Sequence, residues 1–201
     1  MIAINGKHDE FRLGFLTAVE VADRGYVGGL LVTNRHGRPL EFQCTTPVKP
    51  NRTQQILYGP TLVPFILGEL IGCTLIEKVS VKPHLVLTEQ AEILEVRNYV
   101  TIPVACLADE PVQSGSDVSN QSGDEETREN RISPHSPQTL RADGMSNTVC
   151  IGRQRFRFHE AHQSDPSSIE GKASAIPRDA DLREPFDRVR EALDESMRSG
   201  G

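Results

Sequence analysis

The fold is decided between Gly28 and Val79, where the chain reads GGLLVTNRHGRPLEFQCTTPVKPNRTQQILYGPTLVPFILGELIGCTLIEKV. Residues 30–33 are apolar and β-branched, and residues 40–45 alternate between apolar and polar side chains, which is the period of a half-buried strand. Between them, Asn34 tolerates turn geometry and Gly37 can take a positive φ. This stretch therefore predicts a β-hairpin.

A long helical segment is predicted directly after the hairpin. Pro47 and Pro50 end the strand, and Asn51 followed by Gln54 fits a capping box for a helix over residues 52–58. The chain breaks at residues 59–60 and restarts as a second helix over residues 62–79, whose apolar side chains surround the axis. Three charged residues interrupt this helix, and its length is near the lower limit for a membrane span. A buried core helix without membrane contact is therefore expected.

Strands are also predicted on both sides of this region. Residues 11–21 alternate in polarity, which adds a first strand and makes an antiparallel meander with the hairpin. Residues 84–88 and 102–107 read as strands separated by a helix over residues 89–99, which suggests a βαβ unit. The predicted fold class is α/β or α+β, with a small mixed sheet, an antiparallel meander, a central buried helix and a short βαβ unit.

Composition divides the chain into five segments. Residues 1–108 are predicted to form the folded α/β domain. Residues 109–147 are Ser, Asp, Glu, Asn, Pro and Gly with hardly an aliphatic side chain, which predicts a disordered acidic and polar linker. Residues 148–158 read as a short strand-like segment, residues 159–181 as polar and disordered, and residues 182–198 as an amphipathic helix.

The carboxy-terminal helix carries an apolar stripe that includes Phe186, Val189 and Leu193. An isolated helix of this length is marginal in water, so it needs a surface to lie on. That surface is either the chain's own domain or a protein partner. Both alternatives stay open, and these three side chains are the candidate partner-binding residues.

The strand-like segment TVCIGRQRFRFHE places Arg153, Arg155 and Arg157 on one side and Phe156 and Phe158 on the other. Arginine interleaved with aromatic residues is typical of a platform for single-stranded nucleic acid. An edge strand that packs its Phe face on the domain is the preferred interpretation, because the net charge is -6. A nucleic-acid partner is therefore not expected.

Metal and cofactor sites are not expected either. His159 and His162 have the spacing of half a zinc site, but no HExxH motif is present and no third ligand is placed nearby in the sequence. The sequence also lacks GxSxG, Walker and GxGxxG motifs. Without these motifs, the chain is less expected to be an enzyme of the common classes that carry them.

Two clusters of polar residues are candidate sites. The first is an anion site at a predicted helix amino terminus, where free N–H groups favour negative charge; its residues are Lys49, Asn51, Arg52 and Thr53. Ordinary helix capping is the alternative. The second cluster is Glu69, Cys73 and Glu77 on one helix face, which could serve acid–base chemistry in a cleft or form a solvated stripe. A larger pocket would form if these three converged with Arg38, Glu41 and Tyr58.

The run GGLLVTNRHGRPLEF, with CTTPVKPNRTQQILYGPTL after it, resembles a group of bacterial hypothetical proteins. The resemblance covers mainly residues 28–107 and implies a bacterial intracellular protein without implying an activity or a functional residue. Four widely spaced cysteines, no CxxC pair and no secretory signal indicate reduced thiols in a cytoplasm.

The function expected from the sequence is that of a non-catalytic interaction or regulatory protein that binds an unidentified protein. The alternative is an enzyme or ligand-binding domain with a phosphate-type anion site near Lys49 and Arg52.

Overall fold

A computed structural model describes residues 11–108 and 147–199. The strands are β1 (Arg12–Val21), β2 (Gly25–Asn34), β3 (Pro39–Cys44), β4 (Leu85–Thr88), β5 (Val104–Leu107), β6 (Thr148–Ile151) and β7 (Gln154–Phe158). They form one sheet in the order β3-β2-β1-β4-β5-β7-β6. The pairs β1–β4 and β4–β5 are parallel and the others are antiparallel, so the predicted mixed α/β sheet is confirmed. The predicted linker, except for its last residue, lies outside the described residues.

The first three strands form the predicted meander. β1 pairs with β2 along its whole length, from Arg12 opposite Asn34 to Val21 opposite Gly25. In the turn between β2 and β3, the Asn34 side chain accepts hydrogen bonds from the backbone N–H groups of His36 and Arg38, both at 3.0 Å. Gly37 has a φ of 76°, which is costly for other residues. The turn therefore forms for the reasons that the sequence suggested.

A helical run, Arg52–Lys78, covers one face of the sheet. It consists of α1 (Arg52–Tyr58), a 3-10 turn (Gly59–Thr61), α2 (Leu62–Pro64), a π-helical segment (Phe65–Gly72) and α3 (Cys73–Lys78). The predicted capping box is present, with Asn51 and Gln54 bonded reciprocally. The predicted interruption also falls at Gly59. Burial begins only with the π-helical segment. The elements before it, α1, the 3-10 turn and α2, bury none of their residues, whereas the π-helical segment and α3 do.

This helical run has the length and composition of a membrane span, with a mean hydropathy of 1.6. A core helix of a soluble protein satisfies the same criterion. Its second half packs on the sheet, where Ile66, Ile71 and Leu75 are buried against β1 and β2. The structure therefore favours the predicted core helix.

Two adjacent glycines in β2 allow helices to approach both faces of the sheet. A Cβ atom on Gly28 would lie 2.1 Å from Cγ2 of Ile71 in the π-helical segment. A Cβ atom on Gly29 would lie 2.9 Å from Cγ1 of Val189 on the opposite side. Because strand side chains alternate between faces, the pair Gly28-Gly29 removes one side chain from each.

The opposite face is covered by α4 (Asp165–Ala173) and α5 (Glu184–Ser199). Phe186, Val189 and Leu193 of α5 are completely buried, and the Phe186 ring meets Phe15 of β1 edge to face at 5.3 Å. The helix therefore docks on its own domain, and these residues are not a free partner-binding surface. The structure also differs from the expectation of disorder over residues 159–181, because α4 lies there and buries Ile169.

The crossover between β4 and β5 is a 3-10 helix, Ala91–Asn98, where a helix over residues 89–99 was predicted. Arg97 joins it to α4, with Nε 2.6 Å and Nη2 2.9 Å from the two carboxylate oxygens of Asp165. Asp165 is 3% exposed, so this pair explains how a charged residue is tolerated in the core.

Candidate nucleic-acid interface

The β6–β7 hairpin presents two chemically different faces. Its tight turn is formed at Gly152, which has a φ of 58°. Phe156 and Phe158 point into the core and are 0% and 1% exposed, and they lie opposite Leu107 and Ala105 of β5. The Phe face thus packs on the domain as the sequence predicted. The strand itself is internal, because β6 lies outside it and forms the edge of the sheet.

The other face of the hairpin carries the exposed Arg155 and Arg157, and a third exposed arginine, Arg153, lies in the turn between β6 and β7. Directly opposite residues of antiparallel strands project to the same face, and Arg157 lies opposite Cys106 of β5. Cys106 is buried beneath the helical layer, whereas Arg157 is exposed. The helical layer therefore ends over β5 and leaves the arginine face of the hairpin open.

The open face has a positive charge that nothing in the hairpin offsets. Residues 147–158 contain no acidic residue. Among the described residues, no ion pair involves the three arginines. Arg155 and Arg157 are two residues apart in β7, so their Cα atoms are spaced by roughly 6.6 Å, whereas Arg153 lies in the turn before β7. The buried rings cannot stack on bases, so this face offers phosphate contacts without an aromatic platform.

The predicted anion site is occupied by the protein's own contacts. Lys49 donates from Nζ to the Asp23 carbonyl at 2.8 Å, and Arg52 donates from Nη1 to Oε1 of Gln55 at 3.4 Å. The Asn51 side chain caps α1, a helix of only 7 residues. Thr53 is exposed. The geometry at this position is that of ordinary capping.

Three of the six residues of the larger predicted pocket, Arg38, Glu41 and Tyr58, lie in different local environments. The Glu41 carboxylate accepts hydrogen bonds from the N–H groups of Ser80, at 3.0 Å, and Val81, at 2.7 Å. The Tyr58 ring stacks on Phe65, with centroids 4.5 Å apart. Arg38 is exposed beside the hairpin turn. These residues secure local structure at different places in the fold.

Glu69, Cys73 and Glu77 do lie together, and Tyr99 joins them. Burial is the largest cause of a raised pKa for the Cys73 thiol, and the charges of Glu77 and Glu69 raise this pKa further. A hydrogen bond to Glu69 raises the pKa of the Tyr99 hydroxyl. Both groups therefore stay protonated near neutral pH. A protonated thiol is a weak nucleophile and a poor metal ligand.

His159 and His162 connect the end of the hairpin to the 3-10 helix. Nε2 of His159 lies 3.7 Å from Oε1 of Glu95, and Nε2 of His162 lies 3.1 Å from Oδ1 of Asn98. In the described parts of the chain, no group of three His, Cys, Asp or Glu side chains could hold a metal ion. The pair contributes to packing between these segments.

A polar network that sequence reasoning missed lies where β1 and β4 run side by side. Gln90 follows β4, and its Oε1 accepts from the backbone N–H of Ala18 at 2.8 Å and from the Thr17 hydroxyl at 3.3 Å. Glu89 pairs with Arg190 of α5. Ligands commonly bind at the carboxyl ends of parallel strands. Here the polar groups at this position are hydrogen-bonded to side chains of the protein itself. The polar pair Glu89-Gln90, directly after the predicted strand over residues 84–88, was the sequence signal for this network.

No protein-family model and no curated protein matches the chain. Solved structures that are similar to the chain include two of endonuclease V. One is the catalytic domain of human endonuclease V, with 13% identity, a TM-score of 0.43, and coverage of 94% of this chain and 85% of that one. The other is Ciona intestinalis endonuclease V in complex with a 23-mer DNA containing an inosine followed by a ribo-adenosine, with 11% identity, a TM-score of 0.42, and coverage of 92% and 86%.

This comparison contradicts two predictions from the sequence, that of a non-catalytic interaction protein and that of a chain for which nucleic acid is an unlikely partner. Both similar structures are of a nuclease, and one of them is bound to DNA. The sequence identities and TM-scores are too low to place this chain in that family.

Proposed function

We propose that the domain binds the phosphate backbone of nucleic acid through the open face of the β6–β7 hairpin. The observation that carries the proposal is the exposure of Arg155 and Arg157 on one face of β7, beyond the end of the helical layer, with the exposed Arg153 in the adjacent turn. Guanidinium groups match phosphate geometry through paired N–H donors. The domain thereby uses a phosphate-type anion site, as in the alternative function considered from the sequence, at a different position.

The chemistry of this face predicts how binding depends on salt and sequence. With both Phe rings buried, the hairpin has no surface for base stacking, so contacts to phosphate dominate and sequence preference is weak. Three phosphate contacts on a single strand give a slope of about -2 in log K against log salt. Affinity should therefore fall roughly 20-fold between 50 and 200 mM salt.

The formal charge of -6 limits the affinity without excluding the interaction. Long-range repulsion is screened beyond a Debye length of about 10 Å at 0.1 M ionic strength, whereas the arginines contact phosphate directly. Affinities of sequence-independent binding are about 10⁻⁴ to 10⁻⁶ M, and this face belongs in that range. The proposal is one of binding, and it assigns no catalytic residue.

Fluorescence anisotropy with labelled single-stranded and duplex oligonucleotides tests the proposal. The test variant is Arg155→Gln with Arg157→Gln. The matched control is Arg24→Gln with Arg178→Gln, which removes the same charge from two other exposed arginines. We expect the test variant to weaken binding at least 10-fold at 50 mM salt and the control to change it less than twofold. Equal effects of both variants, or no binding at 50 mM salt, would refute the proposal.

We also infer a cytoplasmic location. None of the four cysteines is disulfide-bonded, and Cys44 and Cys150 are exposed. Exposed free thiols persist in reducing compartments.

A further inference from the structure

The first helix of the run Arg52–Lys78 exposes apolar side chains that the core does not use. None of the residues of α1 is buried. Ile56 is 66% exposed, Leu57 is 76% exposed, and Tyr58, the last residue of α1, is 36% exposed. Only 39% of the most apolar 18 residues of the run are buried. These three consecutive side chains form an apolar surface that we call the α1 tip.

The side chains of the α1 tip point in different directions around the helix axis. An α-helix has about 3.6 residues per turn, so consecutive residues are rotated by about 100°, and Ile56, Leu57 and Tyr58 span about 200°. A groove in a protein partner takes up one apolar stripe, whose residues are three or four positions apart. The α1 tip instead suits an apolar medium that surrounds it.

The end of α1 is also open to its surroundings. Gly59 follows the tip, and a Cβ atom on it would have no atom within 4 Å. The Tyr58 ring stacks on Phe65 with centroids 4.5 Å apart, which fixes the tip to the next part of the run. The tip is therefore an exposed corner of the fold that is held in place from behind.

The chain around the α1 tip carries positive charge. Residues 42–68 contain Lys49 and Arg52 and no acidic residue. Both cations are exposed, and neither forms an ion pair with the described residues. Their hydrogen-bond partners, the Asp23 carbonyl and the Gln55 side chain, are neutral groups. Exposed apolar side chains beside uncompensated cations are typical of segments that lie in the surface of a membrane with anionic lipids.

The α1 tip is too small for a stable contact with a second copy of the chain. Stable protein interfaces use about 20–30 residues on each side. The α1 helix has 7 residues, and only three of them form the tip. A bilayer surface requires less, because a few inserted apolar side chains and the attraction of nearby cations to anionic lipids add up to reversible binding.

We infer that the α1 tip inserts into the surface of an anionic lipid bilayer while the sheet stays in water. The apolar side chains of the tip reach the boundary of the acyl chains, the Tyr58 hydroxyl lies at the level of the headgroups, and Lys49 and Arg52 face the lipid phosphates. The contact is peripheral, because the second half of the helical run stays packed on the sheet. It uses none of the hairpin arginines and is independent of the proposed nucleic-acid binding.

Cosedimentation of the full chain with vesicles tests the apolar part of the inference. The vesicles contain equal parts of phosphatidylcholine and phosphatidylglycerol in 50 mM salt. Leu57→Ser should weaken binding at least fivefold, because a polar side chain gains nothing from insertion. The matched control is Leu40→Ser, which changes a leucine of β3 that is 42% exposed, and it should change binding less than twofold.

The same assay tests the charge. Each cation near an anionic surface strengthens binding roughly fivefold, so Lys49→Gln with Arg52→Gln should weaken it at least 10-fold. The matched control is Lys172→Gln with Arg178→Gln, which removes one exposed lysine and one exposed arginine elsewhere and should change binding less than twofold. Vesicles of phosphatidylcholine alone should bind the unchanged protein at least 10-fold more weakly.

Fluorescence reports insertion directly. The chain contains no tryptophan, so Leu57→Trp introduces a single reporter. Its emission should shift to shorter wavelength on addition of the mixed vesicles and should be quenched by lipids with brominated acyl chains. Leu40→Trp is the matched control and should show neither change.

Three results would overturn the inference. The first is no binding to the mixed vesicles at millimolar lipid in 50 mM salt. The second is loss of vesicle binding in Arg155→Gln with Arg157→Gln but not in Leu57→Ser, which would place the lipid contact at the hairpin. The third is a dimer in sedimentation without vesicles that Leu57→Ser converts to a monomer, or a lower melting temperature of Leu57→Ser. Either would show that a second copy or another part of this chain covers the tip.

Discussion

Leu193→Ala tests the docking of α5 on the sheet. Leu193 is completely buried, and its Cγ lies 3.2 Å from the position that a Cβ on Gly29 would take, so the side chain packs directly on β2. Removing a buried leucine side chain costs about 2–5 kcal/mol of unfolding free energy. For a chain of this length, each kcal/mol lowers the melting temperature by about 2–4 °C, so the expected decrease is about 4–20 °C.

The chain offers a matched control with the same chemistry. Leu57 of α1 is 76% exposed, so Leu57→Ala should change the unfolding free energy by less than about 0.5 kcal/mol. Thermal and urea unfolding of the two variants beside the parent protein provide the measurement. If Leu193→Ala melted together with Leu57→Ala, α5 would not be packed on the sheet, and the division of the core into two layers would be refuted.

Three further predictions follow from single contacts. Gly28→Val places atoms where Ile71 Cγ2 would be 2.1 Å from Cβ, so urea unfolding should show a loss of about 1–3 kcal/mol or more, and a parental midpoint would contradict this packing. Hydrogen bonds to the Glu41 carboxylate, of which the one from the Val81 N–H has the largest effect, lower its pKa in the folded state. The stabilisation of the folded state by this carboxylate is therefore complete above its unfolded-state pKa of about 4.3, and it is lost as pH falls through the lower folded-state pKa. Glu41→Gln should therefore lower the melting temperature at pH 7 but not at pH 2, and an equal decrease at both would exclude a charge effect. The raised pKa of Cys73 predicts slower alkylation at pH 8 than for an unstructured cysteine peptide, and Glu69→Gln with Glu77→Gln should accelerate it.

Sequence patterns predicted the elements whose determinants are local. The turn after β2 depends on Asn34 and Gly37, and the start of α1 depends on Asn51 and Gln54, so a few adjacent residues define each. The crossover after β4 was predicted as a helix, but its 3-10 form was not predicted. Packing against the π-helical segment and the ion pair of Arg97 with Asp165 accompany its 3-10 form, and neither can be seen in adjacent residues.

The carboxy-terminal third was harder to predict for a physical reason. Residues 159–181 are polar overall, but Ile169, Ala173 and Ile176 are spaced to bury one stripe against the Phe face of β7 and the rest of that core. The average composition of residues 159–181 does not show this apolar stripe. The surface that the stripe covers also cannot be recognised from nearby residues, because β1 is far away in the sequence. The alternation of residues 153–158 predicted the packed Phe face, whereas the opening of the arginine face depends on where the helical layer ends over β5, which nearby residues do not show.

The arginine face and the buried Phe face depend on each other through the register of β7. Strand side chains alternate between faces, so a slip by one residue would turn Phe156 and Phe158 outward and bury Arg155 and Arg157. Burying those charges without partners would cost far more than any gain from the slip. The core therefore fixes the backbone positions of Arg155 and Arg157 on one face of β7. Their backbone loses little conformational entropy on contact with phosphate, so two cations on this strand should bind more effectively than two on a flexible loop.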